Sequence, residues 1–445
     1  MENYIINNAK IVNEGEIIEA SICIKNGLIT KIEKHSIFKE GYTIIDAQGL
    51  YLLPGLIDDQ VHFREPGLTH KGNIYSESKA AVAGGITSYM EMPNTVPSAV
   101  TIELLEDKYK IGQATSLANY SFFMGTTNTN LNELLRLDPL KVCGVKIFMG
   151  SSTGDMLVDN PEALNNIFKE VNLLIATHCE DDPMIKQNQR IFIDKLGASI
   201  DINSHHLIRN EAACYKSSSF AVDLAKKHNT RLHILHISTA KELDLFDNKL
   251  SSKDKRITAE ACIHHLWFCN EDYASKGNFI KWNPAIKTAN DRAAILQAVL
   301  DNRIDVIATD HAPHTFEEKS KPYLEAPSGG PLVQHALVAL LEMYHQNKIS
   351  LEKIVEKTSH TVADLFQIEK RGYIREGYFA DLVLVDLNKT WEVNKSNILY
   401  HCGWSPFEGN KFQSKIIKTF VNGHLAYDNG QFDESKKGMR LAFER

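Results

Sequence analysis

Apolar and polar residues follow two different rhythms along this chain, and the change of rhythm divides it. Up to about Tyr51 the apolar residues come as short β-branched runs: Ile5-Ile6, Ile17-Ile18, Ser21 to Ile24 and Leu28 to Ile32. Asn13, Gly15, Asn26-Gly27 and Gly41 break them. Runs of this kind between turn residues predict strands, and Asn26-Gly27 between Ile24 and Leu28 predicts a tight hairpin. The C-terminal part has the same texture, with Asp381 to Val385, Lys415 to Val421, the pair Asn422-Gly423, and His424 to Tyr427. Two strand-rich pieces at opposite ends predict one small β-sandwich domain assembled from residues 1–52 and 366–445.

The middle, residues 53–365, alternates on a longer scale. Apolar runs at Ile86 to Met90, Val145 to Phe148, Leu173 to Thr177, Leu232 to Ile237 and Val306 to Thr309 are separated by polar-patterned segments. Asn73 to Ala83, Pro161 to Glu170 and Ala289 to Leu300 are helix-like examples. Strand–helix alternation over about 300 residues predicts a parallel sheet, and at this length a (β/α)₈ barrel; a doubly wound open sheet is the alternative. No GxGxxG follows the first strand, so a dinucleotide fold lacks its main signal.

Composition alters this picture little. The 445 residues are 43% hydrophobic and 24% charged, the balance of an ordinary globular protein large enough for a barrel with an added domain. A net charge of -7 argues against a nucleic-acid groove or a polybasic membrane surface. Seven cysteines (23, 143, 179, 214, 262, 269 and 402) stand singly with no CxxC, which predicts reduced thiols and a cytoplasmic location. The start, Met1 to Lys10, does not read as a signal peptide, and no apolar run is long enough for a membrane span.

A barrel presents reactive groups at the C-terminal ends of its strands. Five polar residues follow strand-like runs: His62 after Leu52 to Ile57, Lys146 after Val145, His178 after Leu173 to Thr177, His236 after Leu232 to Leu235, and Asp310 after Asp305 to Thr309. Singly, such a histidine is more often a hydrogen-bonded core residue, and Lys146 reads equally well as a surface salt-bridge partner. Together, imidazoles and carboxylates at matching strand ends converge on one point and suit Zn²⁺ or a similar cation.

At these residues the chain resembles the dihydroorotases of the amidohydrolase superfamily. Asp58 to Gly67, reading DDQVHFREPG, is similar to their first-strand signature, and Met92-Pro93-Asn94-Thr95 to their second. Gly144 to Met149 resembles the stretch that carries the carboxylated lysine in hydantoinases, allantoinases and some dihydroorotases. Thr177 to Glu180, Leu235 to Thr239, Thr309 to His314, Asn283-Pro284 and Arg375 to Leu382 match later motifs, in order, over nearly the whole chain. Trp404 to Phe407 resembles the segment that leads back to the β domain.

The resemblance implies the following roles. His62 binds one metal, α, and His178 and His236 bind the second, β. Lys146, carboxylated on Nζ, bridges the two. Asp310 binds α and shuttles a proton. Zinc, one or two ions per subunit, lowers the pKa of bound water from 15.7 to about 7. Arg64 offers a planar two-pronged donor to a substrate carboxylate; read alone, it is equally a partner for Glu65 or Asp59. Asn94, Asn283, His314 and the backbone at Ser328-Gly329 complete the substrate contacts. The implied reaction interconverts N-carbamoyl-L-aspartate and (S)-dihydroorotate, a step of pyrimidine synthesis. A hydantoin or allantoin hydrolase and an inactive scaffold for aspartate transcarbamoylase are the other readings. The family also suggests a homodimer.

One position departs from the pattern. Family members usually have histidine where this chain has Gln60, two residues before His62 and on the same strand face. An amide oxygen is a weaker zinc ligand, so α is expected to bind its metal less tightly than β. His264-His265 is read as structural, because neighbours in a strand face opposite ways.

Overall fold

The computed structural model describes residues 2–150 and 156–445. The chain opens with strands β1 (Tyr4–Asn13), β2 (Glu16–Lys25), β3 (Leu28–Glu33), β4 (Thr43–Asp46) and β5 (Tyr51–Pro54). The hairpin between β2 and β3 turns on Asn26 (φ 51°) and Gly27 (φ 85°). Both values are positive, as a two-residue turn matched to strand twist requires.

At Gly55 the backbone leaves this sheet and enters another. A Cβ there would lie 2.1 Å from Thr87 Oγ1, so only glycine passes. The apolar run Leu52 to Ile57 is therefore two strands rather than one. β5 pairs with the terminal sheet, and His62 follows β6 (Leu56–Val61).

After β6 come β7 (Ile86–Glu91), β8 (Asn119–Phe122), β9 (Met124–Gly125), β10 (Val145–Phe148), β11 (Ile175–His178), β12 (Leu232–Ile234), β13 (Ile257–Cys262) and β14 (Val306–Ala308). Neighbours pair in parallel throughout. β8 and β9 are two pieces of one barrel strand, interrupted at Phe123. The ring closes where His62 N–H donates to the His311 carbonyl at 2.7 Å. The protein is thus a (β/α)₈ barrel with a β-sandwich domain, as the alternation predicts.

Polar caps start the crossover helices. Asn73 caps Ile74–Ala83, Asn160 caps Pro161–Glu170, and Thr288 caps Ala289–Leu300. Ile57, Met90, Phe123, Leu174, Ala176, Leu235 and Val306 share one core cluster with Val362, Leu365 and Phe366, which follow the last crossover.

The chain then returns to the first sheet through β15 (Leu382–Asp386), with β16 (Trp391–Glu392) and β17 (Lys411–Phe412) as a side ribbon. β18 (Lys415–Val421), β19 (His424–Asp428) and β20 (Gln431–Phe432) follow. The strand order is β20-β19-β18-β15-β5-β1-β2-β3, with β4 also on β1. β5 therefore sits between strands from the two ends of the chain. Ile6, Ile11, Ile22, Leu52, Leu382, Leu384 and Phe420 form their shared core.

One sequence reading needs revision. His264 and His265 lie in a short helix, Ile263–Trp267, not in a strand. The argument from strand alternation therefore does not apply to them. Both are buried all the same: the His264 ring stacks on Trp282, and His265 Nε2 lies 3.1 Å from the Pro284 carbonyl. β6 has a register shift against β7 between Asp58 and Val61, yet Gln60 and His62 face the same cavity, as their spacing predicts.

Candidate active site

A cavity of about 390 Å³ opens at the C-terminal ends of the barrel strands. All twelve residues singled out in the sequence line it: Gln60, His62, Arg64, Asn94, Lys146, His178, His236, Asn283, Asp310, His314, Ser328 and Gly329. A larger cavity of about 720 Å³, lined among others by Arg231, Arg256 and Arg445, lies at the opposite end and holds none of them. The smaller cavity carries the chemistry.

On one side His178 Nδ1 and His236 Nε2 approach to 3.0 Å. The other nitrogen of His178 lies 3.0 Å from Glu180 Oε2. Burial pushes the Glu180 carboxyl up, but Arg209 and His178 outweigh it and hold Glu180 well below the usual carboxylate range. An ionised carboxylate only accepts, so His178 carries its proton on Nε2 and its lone pair on Nδ1. Burial also keeps both imidazoles neutral, with His236 well below its ordinary value. Two imidazoles with converging donor atoms, one backed by a carboxylate, fit a zinc-class ion.

On the other side His62 Nδ1 lies 2.7 Å from Asn94 Oδ1, and His62 Nε2 lies 3.3 Å from Asp310 Oδ1. Gln60 turns its amide nitrogen toward this carboxylate, donating to Asp310 Oδ1 at 3.2 Å. Its oxygen faces the Cys262 thiol at 3.8 Å. Lys146 is buried between the two sides, with Nζ 4.7 Å from the centre of the Phe148 ring. Burial moves the Lys146 ammonium down to about 8 and the Asp310 carboxyl up to about 7. A lysine so easily deprotonated is suited to carboxylation, and a carboxyl near neutrality is suited to proton transfer.

Arg64 closes the mouth. Its Nε donates to the Pro313 carbonyl at 3.0 Å, and Nη2 lies 3.1 Å from His314 Nε2. Neither Glu65 nor Asp59 pairs with it: Glu65 accepts from Ile74 N–H, and Asp59 faces His233. Among the described residues no carboxylate forms an ion pair with this buried guanidinium. His314 Nε2 also lies 3.0 Å from the Ser328 carbonyl. Gly329 holds φ 125°, and a Cβ there would meet the Ala312 carbonyl at 2.5 Å, so glycine is needed to bring this loop to the cavity.

Three of these residues have left-handed backbones: Arg64 (φ 73°), His236 (φ 40°) and Asp310 (φ 48°). Strain of this kind in non-glycine residues collects at functional sites. Sequence reading missed Glu180 and Arg209 behind His178, and Lys71 and Phe148 in the cavity lining. Glu180 lay within a quoted motif, two residues after His178, and that spacing was the available signal. Arg209 comes from a loop 29 residues further on and left no local signal.

A model of the family described as "Amidohydrolase family" matches residues 51–426. A dihydroorotase of Methanosphaera stadtmanae is 30% identical over 442 residues, covering 98% of this chain and 99% of the relative. A dihydroorotase of Halobacterium salinarum is 33% identical, covering 87% and 89%. Among solved structures, an L-hydantoinase (dihydropyrimidinase) from Arthrobacter aurescens superposes with a TM-score of 0.94 at 25% identity, covering 99% of this chain and 100% of that one. A dihydropyrimidinase from Brevibacillus agri, at 22% identity and a TM-score of 0.88 over the full length of both, shares the fold.

Proposed function

We propose, from the premise that this chain belongs to the amidohydrolase family and to its dihydroorotase branch, that the barrel-mouth cavity is where it opens and closes a cyclic amide. The reaction is the reversible interconversion of (S)-dihydroorotate and N-carbamoyl-L-aspartate. The observation that carries this substrate is Arg64: a buried guanidinium that, among the described residues, forms no ion pair with a carboxylate and lines the same cavity as the two converging imidazoles. Dihydroorotate brings a carboxylate, which a planar guanidinium binds in two-pronged fashion.

His178 and His236 would hold one zinc ion. His62 and Asp310 would hold another, with Lys146 as its carbamate between them. Zinc bound there supplies a Lewis acid for the ring carbonyl and makes water acidic near neutrality. Asp310 takes the proton from water and passes it to the ring nitrogen as the amide bond breaks. Asn94 and His314 flank the carboxylate beside Arg64. Asn283 and the backbone at Ser328-Gly329 face the ring. Gln60 holds Asp310 through its amide N–H, where a second imidazole would have bound metal.

The likeness to the L-hydantoinase structure favours, as a second reading, a ring without a carboxylate. Incubation of the zinc-loaded protein with dihydroorotate, hydantoin and allantoin, following amide absorbance, separates the two. Turnover of dihydroorotate alone is the expected result. Turnover of hydantoin alone moves the assignment, and no turnover favours a scaffolding role beside aspartate transcarbamoylase. A homodimer belongs to the same reading and is tested by sedimentation velocity.

A further inference from the structure

Beneath the mouth, three ionisable side chains from three strands meet inside the barrel. Asp59 comes from β6, His233 from β12 and Glu260 from β13, and each is fully buried. His233 Nε2 lies 3.1 Å from Asp59 Oδ2 and 3.9 Å from Glu260 Oε2. None of the twelve residues at the mouth belongs to this group.

The hydrogen atoms here are constrained. Thr258 Oγ1 lies 3.3 Å from the Leu232 carbonyl and 2.8 Å from His233 Nδ1. With the hydroxyl hydrogen on that carbonyl, Nδ1 carries a proton; with it on Nδ1, the proton of a neutral ring sits on Nε2. Burial lowers the His233 imidazole, but Asp59 and Glu260 outweigh it and raise it to about 9. A positive charge therefore belongs among these oxygens: a second proton on the ring, or a cation between them.

Four atoms surround that point: both oxygens of Asp59, Nε2 of His233 and Oε2 of Glu260. Among the described residues, none of the four has a hydrogen-bond partner. The 3.1 Å approach of Nε2 to Asp59 thus lacks the alignment of a hydrogen bond. The donor atoms of the three side chains all lie within 4.8 Å of one another. Ligands about 2.0–2.2 Å from a common tetrahedral zinc stand about 3.4 Å apart, within reach of this arrangement by small rotations. With the ring proton displaced and both carboxylates ionised, the group carries two negative charges, which a divalent ion balances. Among the described residues neither Asp59 nor Glu260 forms an ion pair with a lysine or arginine.

We propose that Asp59, His233 and Glu260 form a separate binding site for a divalent cation of the zinc class, enclosed in the barrel below the mouth. The second oxygen of Glu260 accepts from His236 N–H at 2.8 Å and faces the Cys262 thiol at 3.2 Å. The inner ion and the strained backbone of His236 therefore share one carboxylate. Burial on all sides makes the inner ion slow to exchange.

Anomalous diffraction from crystals of the unmodified chain grown with zinc, recorded on both sides of the zinc edge, tests this directly. The expected result is a peak within bonding distance of Asp59, His233 and Glu260. Absence of that peak, whether or not zinc is seen at the mouth, overturns the proposal and leaves a proton on Nε2 as the occupant. Metal analysis after dialysis against a chelator gives a second measure. Asp59→Asn is expected to retain one equivalent less than the unmodified protein, and equal retention by the two also overturns the site.

Discussion

The two sides of the mouth are built differently. On the side of His178 and His236, two imidazoles converge on one point, and the Glu180–Arg209 pair fixes the proton of His178 from behind. On the side of His62, one imidazole and one carboxylate are joined by an amide that donates rather than ligates. On the proposed reading, the first side is prepared for a metal before any arrives. The second is also the side of Asn94 and Arg64, where the substrate carboxylate would lie. On the proposed reading both sides hold metal, and the second also handles the substrate.

Asp310 should be the most sensitive residue on the substrate side. Asp310→Asn is expected to lower kcat with dihydroorotate by about 10²–10⁴-fold. A loss under tenfold in steady-state assays would remove it from proton transfer. Next comes Arg64→Met, which deletes a charge-assisted hydrogen-bond pair. A loss of about 10–100-fold in kcat/KM, falling mainly on KM, follows from about 1.5–3 kcal/mol for such contacts. A carboxylate-free substrate, if turned over at all, should not feel the change.

On the metal side, Glu180→Gln removes the negative charge that fixes the proton of His178. Zinc affinity or activity should fall about 10–100-fold, read by competition with a chromophoric chelator. The two sides are compared directly by counting metal. Protein purified without added zinc is expected to hold clearly fewer than two equivalents at the mouth, the deficit lying beside Gln60. Gln60→His should raise that number without abolishing turnover, and complete loss of activity would give Gln60 an essential role of its own. Two equivalents at the mouth, retained against mild chelation, would erase the contrast.

The smallest effect is expected at the rim. His314 and Lys71 hold the Glu318 carboxyl below the usual carboxylate range. A depressed carboxyl stabilises the fold above its unfolded pKa of about 4.3, and that contribution is lost as pH falls below it. Glu318 is partly exposed, so Glu318→Gln should cost at most about 1 kcal/mol at pH 7. The difference between urea midpoints of the two proteins should shrink at pH 3.

Much of this was legible in the sequence, and the failures have physical causes. Strand ends mark themselves because an apolar run stops at a polar residue, which located His178, His236 and Asp310. The hairpin at Asn26-Gly27 was legible because few residue pairs tolerate two positive φ values. The inward turn of Asp59 was not, because the register shift in β6 breaks the two-residue rhythm that pattern reading relies on. His264-His265 was misplaced in a strand because a five-residue helix shows too few turns to reveal its period. Arg209 reaches Glu180 only through the fold.

The position of β5 between β1 and β15 bears on how the protein is made. β5 ends at Pro54 and its partner β15 begins at Leu382, roughly 330 residues later. At about 5–20 residues per second, a ribosome needs on the order of 15–65 s to cover that distance. Throughout that interval one edge of β5 waits unpaired while the barrel is still being translated. Newly made chains therefore present an unfinished sheet to the cell long after their first strands emerge.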